Sequence, residues 1–267
     1  MQPSLPAGPP PYLVADGDPS ALLLGLAQDA GRPQPGCTRA CCQDVDLPGL
    51  PVALGLRDGP HRFLIDATPA LPAQLPMLGG LDGVLLTHAH MGHYTGLMYL
   101  GREALATRRL PVWVMPRMRA FLEQNGPWDQ LTALDNIELR DLHDGVEVTL
   151  SPRLHVTPRL VPHRDEYSET VAFLVRSPSW RLLYLPDIDS WEGFPLESLL
   201  ADVDVALLDG TFWDDAELEA LGRDPAVVPH PRVVDTLDRL ARLPEAEQSK
   251  VQFIHLNHSN PLWRARS

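Results

Sequence analysis

The segment that decides the fold is Leu85-Leu86-Thr87-His88-Ala89-His90-Met91-Gly92-His93, in which a short apolar run ends in three histidines. On an extended chain, residues two apart point to the same side, so His88 and His90 face together. Gly92 then lets the backbone turn sharply before His93. The chain has 10 histidines in all, so chance rarely places three of them within six residues. Imidazoles that converge at a strand end predict a site for zinc or another transition metal.

A polar residue placed just past an apolar run recurs at four later positions, which are His163, Asp187, His255 and His258. Taken alone, each also fits a structural role, such as a turn aspartate or a capped surface histidine. Their shared placement predicts a site built from the ends of several strands.

Composition narrows the classes of function. The chain has 267 residues, with 22 Lys and Arg against 35 Asp and Glu, which gives a net charge of −13. A chain this acidic disfavours a nucleic-acid partner, because binding phosphates depends on Lys and Arg. No apolar run approaches the roughly 20 residues needed to cross a membrane. Residues 1–15 carry no Lys or Arg, so they lack the basic region of a secretory signal. Three cysteines make a poor disulfide framework, and we expect a cytoplasmic protein.

Short apolar runs alternate with segments of helical spacing throughout the chain, which predicts one α/β domain over residues 20–267. The 28 prolines favour rigid loops and few long helices. Residues 1–19 are rich in proline and are expected to form a flexible lead. The predicted strands are Ala21–Ala27, Val52–Leu56, Phe63–Ile65, Gly83–Leu86, Val112–Met115, Thr170–Val175, Leu182–Leu185, Val203–Leu208 and Val251–Leu256. The predicted helices are Tyr94–Ala106, Pro116–Gln124 and Pro231–Leu243.

The histidine segment also carries a family resemblance. Thr87–His93 resembles the Thr-His-x-His-x-Asp-His signature of the metallo-β-lactamase-fold hydrolases. Flanking blocks, among them Asp66–Pro69, Asp209–Trp213 and Phe253–Leu262, resemble the coenzyme PQQ synthesis protein B family and its relatives, from about residue 20 to residue 262. The resemblance implies an αββα four-layer sandwich with a metal site at one edge between two sheets.

The resemblance further implies one or two Zn²⁺ ions, with iron or manganese as alternatives, and a metal-bound hydroxide as nucleophile. Asp187 would bridge the two ions and act in catalysis. His230 precedes a predicted helix, where related phosphodiesterases carry a histidine that protonates the leaving group. The implied ligands are His88, His90 and His163 for one ion, and His93 and His255 for the other.

One position departs from the signature. Gly92 stands where the family has an aspartate that binds the second ion, which predicts a weaker second site or a mononuclear enzyme. His258, three residues after His255, is a candidate for the missing donor. Asp29, Asp66 and Thr68 follow strands and either line the site or serve as turn and cap residues. Asp209 is a candidate anchor for a ligand histidine.

Cys37, Cys41 and Cys42 lie within six residues and could form part of a structural zinc site, given a fourth ligand. Relatives in the PQQ-synthesis family carry a cysteine cluster in this loop with different spacing. The alternative is a loop of free thiols in a reducing compartment.

Three functions stay open. The histidine set favours a metallohydrolase acting on a small ester, phosphodiester or lactone. The overall resemblance favours an iron-dependent oxygenase or hydroxylase in coenzyme PQQ biosynthesis. The third possibility is a non-catalytic binding protein with a damaged second metal site, and its only support is Gly92. The negative charge disfavours a tRNA-processing nuclease of the same superfamily. The expected partner is a small-molecule substrate, and a homodimer stays open.

Overall fold

Two β-sheets lie face to face in the computed structural model, which describes residues 12–43, 45 and 48–264. The first sheet has seven strands in chain order, antiparallel from β1 to β4 and parallel from β4 to β7. Its strands are β1 (Tyr12–Ala15), β2 (Ser20–Gly25), β3 (Ala53–Asp58), β4 (His61–Ile65), β5 (Gly83–Leu85), β6 (Leu110–Val114) and β7 (Ile137–Asp141).

The second sheet has six strands in the order β13-β12-β11-β10-β9-β8. Strands β11, β12 and β13 run parallel, and the remaining pairs are antiparallel. Its strands are β8 (Val148–Thr149), β9 (His155–Leu160), β10 (Val171–Arg176), β11 (Arg181–Leu185), β12 (Val205–Asp209) and β13 (Val251–Ile254).

The helices are short, as the proline content predicts. They are α1 (Leu71–Leu78), α2 (Met91–Tyr94), α3 (Pro116–Gln124), α4 (Trp128–Ala133), α5 (Leu196–Ala201), α6 (Asp215–Ala220), α7 (Val233–Leu240) and α8 (Glu245–Gln248), with 3₁₀ helices over Thr95–Leu100 and Pro261–Trp263. Among the described residues, no helix is both long and apolar enough to cross a membrane.

The core has two parts because side chains of the first sheet alternate between its faces. In β2, Leu22 and Leu24 join the cluster that includes residues of α1, α3 and α4. Ala21 and Leu23 join the cluster that the second sheet shares, to which α5 and α7 also contribute. The layers are therefore helix, sheet, sheet and helix, which confirms the expected αββα sandwich.

The sheets are joined at one end by Ala27, which forms parallel bridges to both Pro51 and Leu256. The amide of Gln28 donates to the carbonyl of Leu256 at 2.9 Å, and the amide of Leu256 donates to the carbonyl of Leu26 at 2.7 Å. This seam fixes the residues that follow β2 beside the residues that follow β13.

A second link between the sheets is the buried carboxylate of Asp58 at the end of β3. It accepts from Ser151 Oγ at 2.5 Å and from Arg153 Nε at 2.7 Å, both of which lie between β8 and β9. Burial disfavours the ionised form of Asp58, but the Ser151 and Arg153 hydrogen bonds outweigh this and hold the pKa of that carboxyl below its ordinary value.

All nine predicted strands are present, and several other segments differ from expectation. Tyr12–Ala15 pairs with β2, so the expected flexible lead is wrong for these residues, while residues 1–11 lie outside the described residues. The predicted helix over Tyr94–Ala106 is a 3₁₀ helix at Thr95–Leu100 followed by turns. Strands β7, β8 and β9 were not predicted. Arg, Asp and Pro interrupt the apolar pattern of β7 and β9, and β8 has only two residues.

Candidate metal centre

The candidate site lies where several strands end. Strand β4 runs parallel to β5, and β11, β12 and β13 run parallel to one another, so the residues that follow these strands lie together at one edge of each sheet. Thr87 and His88 follow β5, and Asp187 follows β11. Asp209 ends β12, and His255 follows β13 directly.

The first group of candidate ligands consists of His88, His90, His163 and Asp187, whose ligand atoms lie within 4.8 Å of one another. His163 Nε2 lies 3.1 Å from His90 Nδ1. Asp187 Oδ2 lies 3.4 Å from His88 Nε2, and Asp187 Oδ1 lies 3.5 Å from His163 Nε2. Ligands bound tetrahedrally to zinc at about 2.1 Å are about 3.4 Å apart, so the spacing fits an ion at the centre of the group.

The second group consists of Asp29, His93 and His255, also within 4.8 Å. His93 Nε2 lies 3.5 Å from Asp29 Oδ1, and both His93 Nε2 and His255 Nε2 lie 3.7 Å from Asp187 Oδ2. Asp187 therefore stands between the two groups, as a bridging carboxylate requires.

Orphaned polar atoms show that the groups fit a cation. Among the described residues, His88 Nε2, His93 Nε2, His255 Nε2 and Asp187 Oδ1 are buried and have no hydrogen-bond partner. A buried polar atom without a partner costs about 1–3 kcal/mol. A cation bound in each of the two groups would give all four atoms a partner.

In four of the candidate ligand histidines, Nδ1 faces away from the site and contacts a neighbouring oxygen. This contact sets the tautomer of the ring. The Nδ1 contacts are His88 with Thr87 Oγ1 at 2.9 Å, His93 with Asp66 Oδ2 at 2.9 Å, His163 with Asp189 Oδ1 at 2.7 Å and His255 with Thr211 Oγ1 at 2.8 Å. With Nδ1 donating, each ring turns Nε2 towards the site, where its lone pair is available to a metal whenever the ring is neutral. His90 is reversed, because its Nε2 lies 3.3 Å from Glu166 and its Nδ1 faces His163.

Charge in the site also favours a cation. Burial lowers the pKa of His163 to about 2 and that of His255 to about 3, so both rings are neutral, the form that binds metals. Burial disfavours the charged ring of His93 too, but Asp66, Asp29 and other carboxylates outweigh this and raise its pKa to about 9. The carboxylates around His93 therefore favour a positive charge at this point, which a divalent ion would supply.

His230 stands beside the first group. Its Nδ1 lies 2.8 Å from Asp209 Oδ2 and 3.2 Å from Asp187 Oδ1. Burial disfavours its protonated form, but Asp209 and Asp187 outweigh this and raise the pKa of His230 to about 9. The ring is therefore charged at neutral pH, with Nδ1 held by carboxylates.

The structure brings six of the seven predicted metal ligands together, with His230 next to Asp187. The exception is His258, which does not lie in the group of His93 and His255. The expectation that it supplies the donor missing at Gly92 is wrong in geometry, because its ring turns towards the cysteine loop. Asp29 lies beside His93 instead.

His258 completes the cysteine cluster. Its Nδ1 lies 3.3 Å from both Cys41 Sγ and Cys42 Sγ, and Cys37 belongs to the same group. The sulfurs of Cys41 and Cys42, although adjacent in sequence, thus both lie beside the same His258 nitrogen. Burial and the neighbouring thiols raise the pKa of Cys41 to about 11, so the three sulfurs do not ionise together without a cation. Three cysteines and one histidine are a common ligand set of structural zinc.

A pocket of about 470 Å³ opens beside the centre, a size suited to a small molecule. His90, Asp29 and His230 line it together with Arg164 and Arg223.

Sequence reasoning missed the roles of Asp189 and Thr211, which hold ligand histidines. A Thr after an Asp at a strand end was the available signal for Thr211, whereas nothing in the sequence marks Asp189. It also missed the strain at Asp66, His230 and His255, whose φ angles are 69°, 95° and 59°. Such angles are uncommon outside glycine and concentrate at functional sites.

The sequence and the fold are similar to those of known proteins. Residues 61–256 match the family model described as the beta-lactamase superfamily domain. Coenzyme PQQ synthesis protein B of Pseudomonas fluorescens (strain SBW25) is 27% identical over 283 aligned positions, covering 90% of each chain. The crystal structure of Zn(2+)-bound PqqB from Methylobacterium extorquens aligns with a TM-score of 0.73 at 22% identity, covering 91% of both chains. A diphosphatase from the PhnP family aligns with a TM-score of 0.67 at 21% identity, covering 90% of this chain and 87% of its own.

The family match covers well over half of the residues, and both solved structures share the sandwich fold. The chain belongs to the beta-lactamase superfamily.

Proposed function

We propose that this protein is a metal-dependent hydrolase of small anionic esters, with a phosphodiester as the preferred class. The observation that carries the proposal is the convergence of unpartnered imidazole nitrogens on Asp187 in one buried space. We propose zinc as the metal, held by His88, His90, His163, His93, His255 and the bridging Asp187. Bound there, such ions would lower the pKa of a water and draw electrons from the ester.

The side chains around the centre have separate tasks in this proposal. Asp187 keeps the two groups of ligands at a fixed separation, because it lies 3.4–3.7 Å from rings of both groups. Asp209 fixes His230 through Nδ1, which leaves Nε2 for the pocket. A charged ring in this position can deliver its Nε2 proton to the leaving oxygen of a substrate.

The pocket lining favours an anionic substrate. Arg164 and Arg223 line it together, and a planar guanidinium pairs with a phosphate through two parallel hydrogen bonds. Asp189 lies 4.0 Å from Arg164 Nε and partly offsets one of these charges. A neutral lactone or carboxylic ester offers the two cations no charged partner of its own. The two arginines are the reason for proposing a phosphodiester among the three substrate classes that the sequence leaves open.

The test uses zinc- or manganese-loaded protein with bis(p-nitrophenyl) phosphate and the neutral ester p-nitrophenyl acetate. We expect hydrolysis of the phosphodiester that His88→Ala abolishes. Arg223→Ala should raise KM for the phosphodiester about 10-fold while leaving the neutral ester unchanged. Arg102→Ala, which removes an exposed arginine paired with Glu103, is the matched control. Equal turnover by the His88→Ala protein would refute the proposal.

A second candidate is an iron-dependent oxygenase or hydroxylase, favoured by the similarity to coenzyme PQQ synthesis protein B over 90% of each chain. Histidines with a carboxylate also suit iron. The iron-loaded protein would consume oxygen in the presence of a substrate and leave the phosphodiester intact. This candidate is excluded if the protein hydrolyses the phosphodiester without oxygen and the iron-loaded protein consumes no oxygen.

A further inference from the structure

Gly92 lies against the turn that carries Asp29. A Cβ added at Gly92 would come within 1.9 Å of Asp29 Oδ1 and 2.6 Å of Asp29 Cα. Real Cβ atoms essentially never approach other heavy atoms so closely. The space that a side chain at position 92 would need is therefore filled by the Asp29 carboxylate and its backbone.

The Asp29 carboxylate lies where a metal ligand would lie, and one of its oxygens has no hydrogen-bond partner among the described residues. Its Oδ1 is buried, has no hydrogen-bond partner among the described residues, and lies 3.5 Å from the equally unpartnered His93 Nε2. That separation matches the roughly 3.4 Å between two ligands of one tetrahedral zinc ion. His255 belongs to the same group, and Asp187 Oδ2 lies 3.7 Å from both His93 Nε2 and His255 Nε2.

The backbone around Asp29 is fixed from both sheets. The amide of Ala27 donates to the carbonyl of Leu50 at 2.9 Å, and that of Gln28 donates to the carbonyl of Leu256 at 2.9 Å. A turn closes behind the carboxylate, where the amide of Gly31 donates to the carbonyl of Gln28 at 2.8 Å. Because Leu256 directly follows His255, the same bonds set the distance between Asp29 and that histidine.

We propose that Asp29 is the anionic ligand of the second metal ion, completing a set with His93, His255 and Asp187. In this arrangement Gly92 is not a lost ligand. It is the residue that lets a carboxylate from the end of β2 enter the place from which a side chain at position 92 would bind. The site would therefore hold a full second ion, of the divalent transition-metal class that takes two imidazoles and two carboxylates. The inference rests on the metal centre of the proposed function and is independent of the reaction.

The test measures metal binding. Metal-free protein is titrated with Zn²⁺ against a fluorescent chelator, and with Co²⁺ followed by absorption, in which thiolate-to-cobalt bands report the cysteine cluster separately. Asp29→Ala and Asp29→Asn should weaken one histidine-site ion by about 10-fold or more and leave the thiolate bands unchanged. His258→Ala should do the reverse. Asp129→Ala, which removes an exposed carboxylate on α4, should match the wild type.

Two further variants and one structure protect the test against misfolding. Asp29→Asn keeps the side-chain shape, and Gly92→Ala should displace Asp29 and weaken the same ion with Asp29 still present. In crystals of zinc-loaded protein, anomalous scattering should place an ion at about 2.0–2.2 Å from Asp29 Oδ1.

The proposal is overturned if the wild type binds one histidine-site ion only at saturating zinc. It is also overturned if Asp29→Ala retains both ions, or if His258→Ala loses the second ion. The outcome is separable from the proposed function. If the wild type binds both ions but hydrolyses no ester, the proposed hydrolase function is refuted, whereas the assignment of Asp29 as a ligand stands.

Discussion

Replacing Asp66 with Asn should weaken binding of the metal ion at His93 without unfolding the protein. Asp66 is fully buried, and its Oδ1 accepts from the amide of Thr87 at 2.9 Å while its Oδ2 accepts from His93 Nδ1 at 2.9 Å. Its φ of 69° is one that Asn adopts readily, so the change alters the charge and one hydrogen-bonding atom rather than the backbone.

The direction of the effect follows from the hydrogen bonds. The Thr87 amide always donates, so the Asn oxygen must stay on that side and its NH₂ must face His93. His93 Nδ1 then becomes the acceptor, and the proton moves to Nε2, the atom that points into the site. Loss of such an orienting partner weakens metal binding about 10- to 100-fold, or about 1.4–2.7 kcal/mol.

The assay is competitive zinc titration of metal-free protein, with circular dichroism to confirm the fold. One histidine-site ion should weaken by that factor, and the ion held by His88, His90 and His163 should keep its affinity. Tyr184→Phe is the matched control, since it removes only a contact of 3.4 Å to the same Asp66 oxygen. Unchanged affinity of both ions in Asp66→Asn would refute the assignment of the His93 tautomer.

Three other perturbations give distinct readouts. Cys42→Ser should remove about one equivalent of tightly bound zinc and lower Tm by about 5 °C or more, measured by elemental analysis and calorimetry, while the histidine ions stay bound. His230→Gln should lower kcat by about 100-fold or more for phosphodiesters with poor leaving groups, and by less for p-nitrophenolate, which needs no proton. Asp58→Asn should lower the unfolding free energy by about 1–3 kcal/mol at pH 7. Because the folded pKa of Asp58 is depressed, its contribution is present above the unfolded value near 4 and is lost as pH falls through the folded pKa. Denaturant titrations of wild type and variant from pH 7 to pH 3 should therefore converge at the acid end.

Contrary outcomes are equally specific. Zinc content unchanged in Cys42→Ser would mean that the cysteine loop holds no ion. Equal losses of kcat for good and poor leaving groups would remove His230 from proton transfer. A stability gap that widens between pH 5 and pH 3 would reverse the sign argued for Asp58.

The fold could be predicted wherever strands are buried and uninterrupted. Gly83–Leu86 and Val251–Leu256 are apolar throughout, so their composition alone predicts buried strands. Strand β9 contains His155, Pro158 and Arg159, and its pairing depends on β10 rather than on local pattern. The segment after Tyr94 has helical spacing, yet Gly96 Cα sits against the backbone of Thr68, and the chain winds more tightly there.

The candidate site was predictable to the extent that ligands follow strands. The histidines could be found because imidazoles are scarce in the sequence and their placement is regular. The place of His258 in the cysteine cluster could not be predicted, since His255 and His258 both follow the same predicted strand and differ in the direction of their rings. The position of Asp29 depends on contacts between residues more than 200 apart, Gln28 and Leu256, which no local pattern records.

The double bridge at Ala27 has a consequence for how the protein fails under stress. If heat or denaturant parts the two halves of the sandwich, the bonds from Gln28 and Leu26 to Leu256 break, and Asp29 moves away from His255. Ion release and separation of the halves would then be a single event, so that a chelator in the surrounding buffer favours the opened form and makes inactivation irreversible.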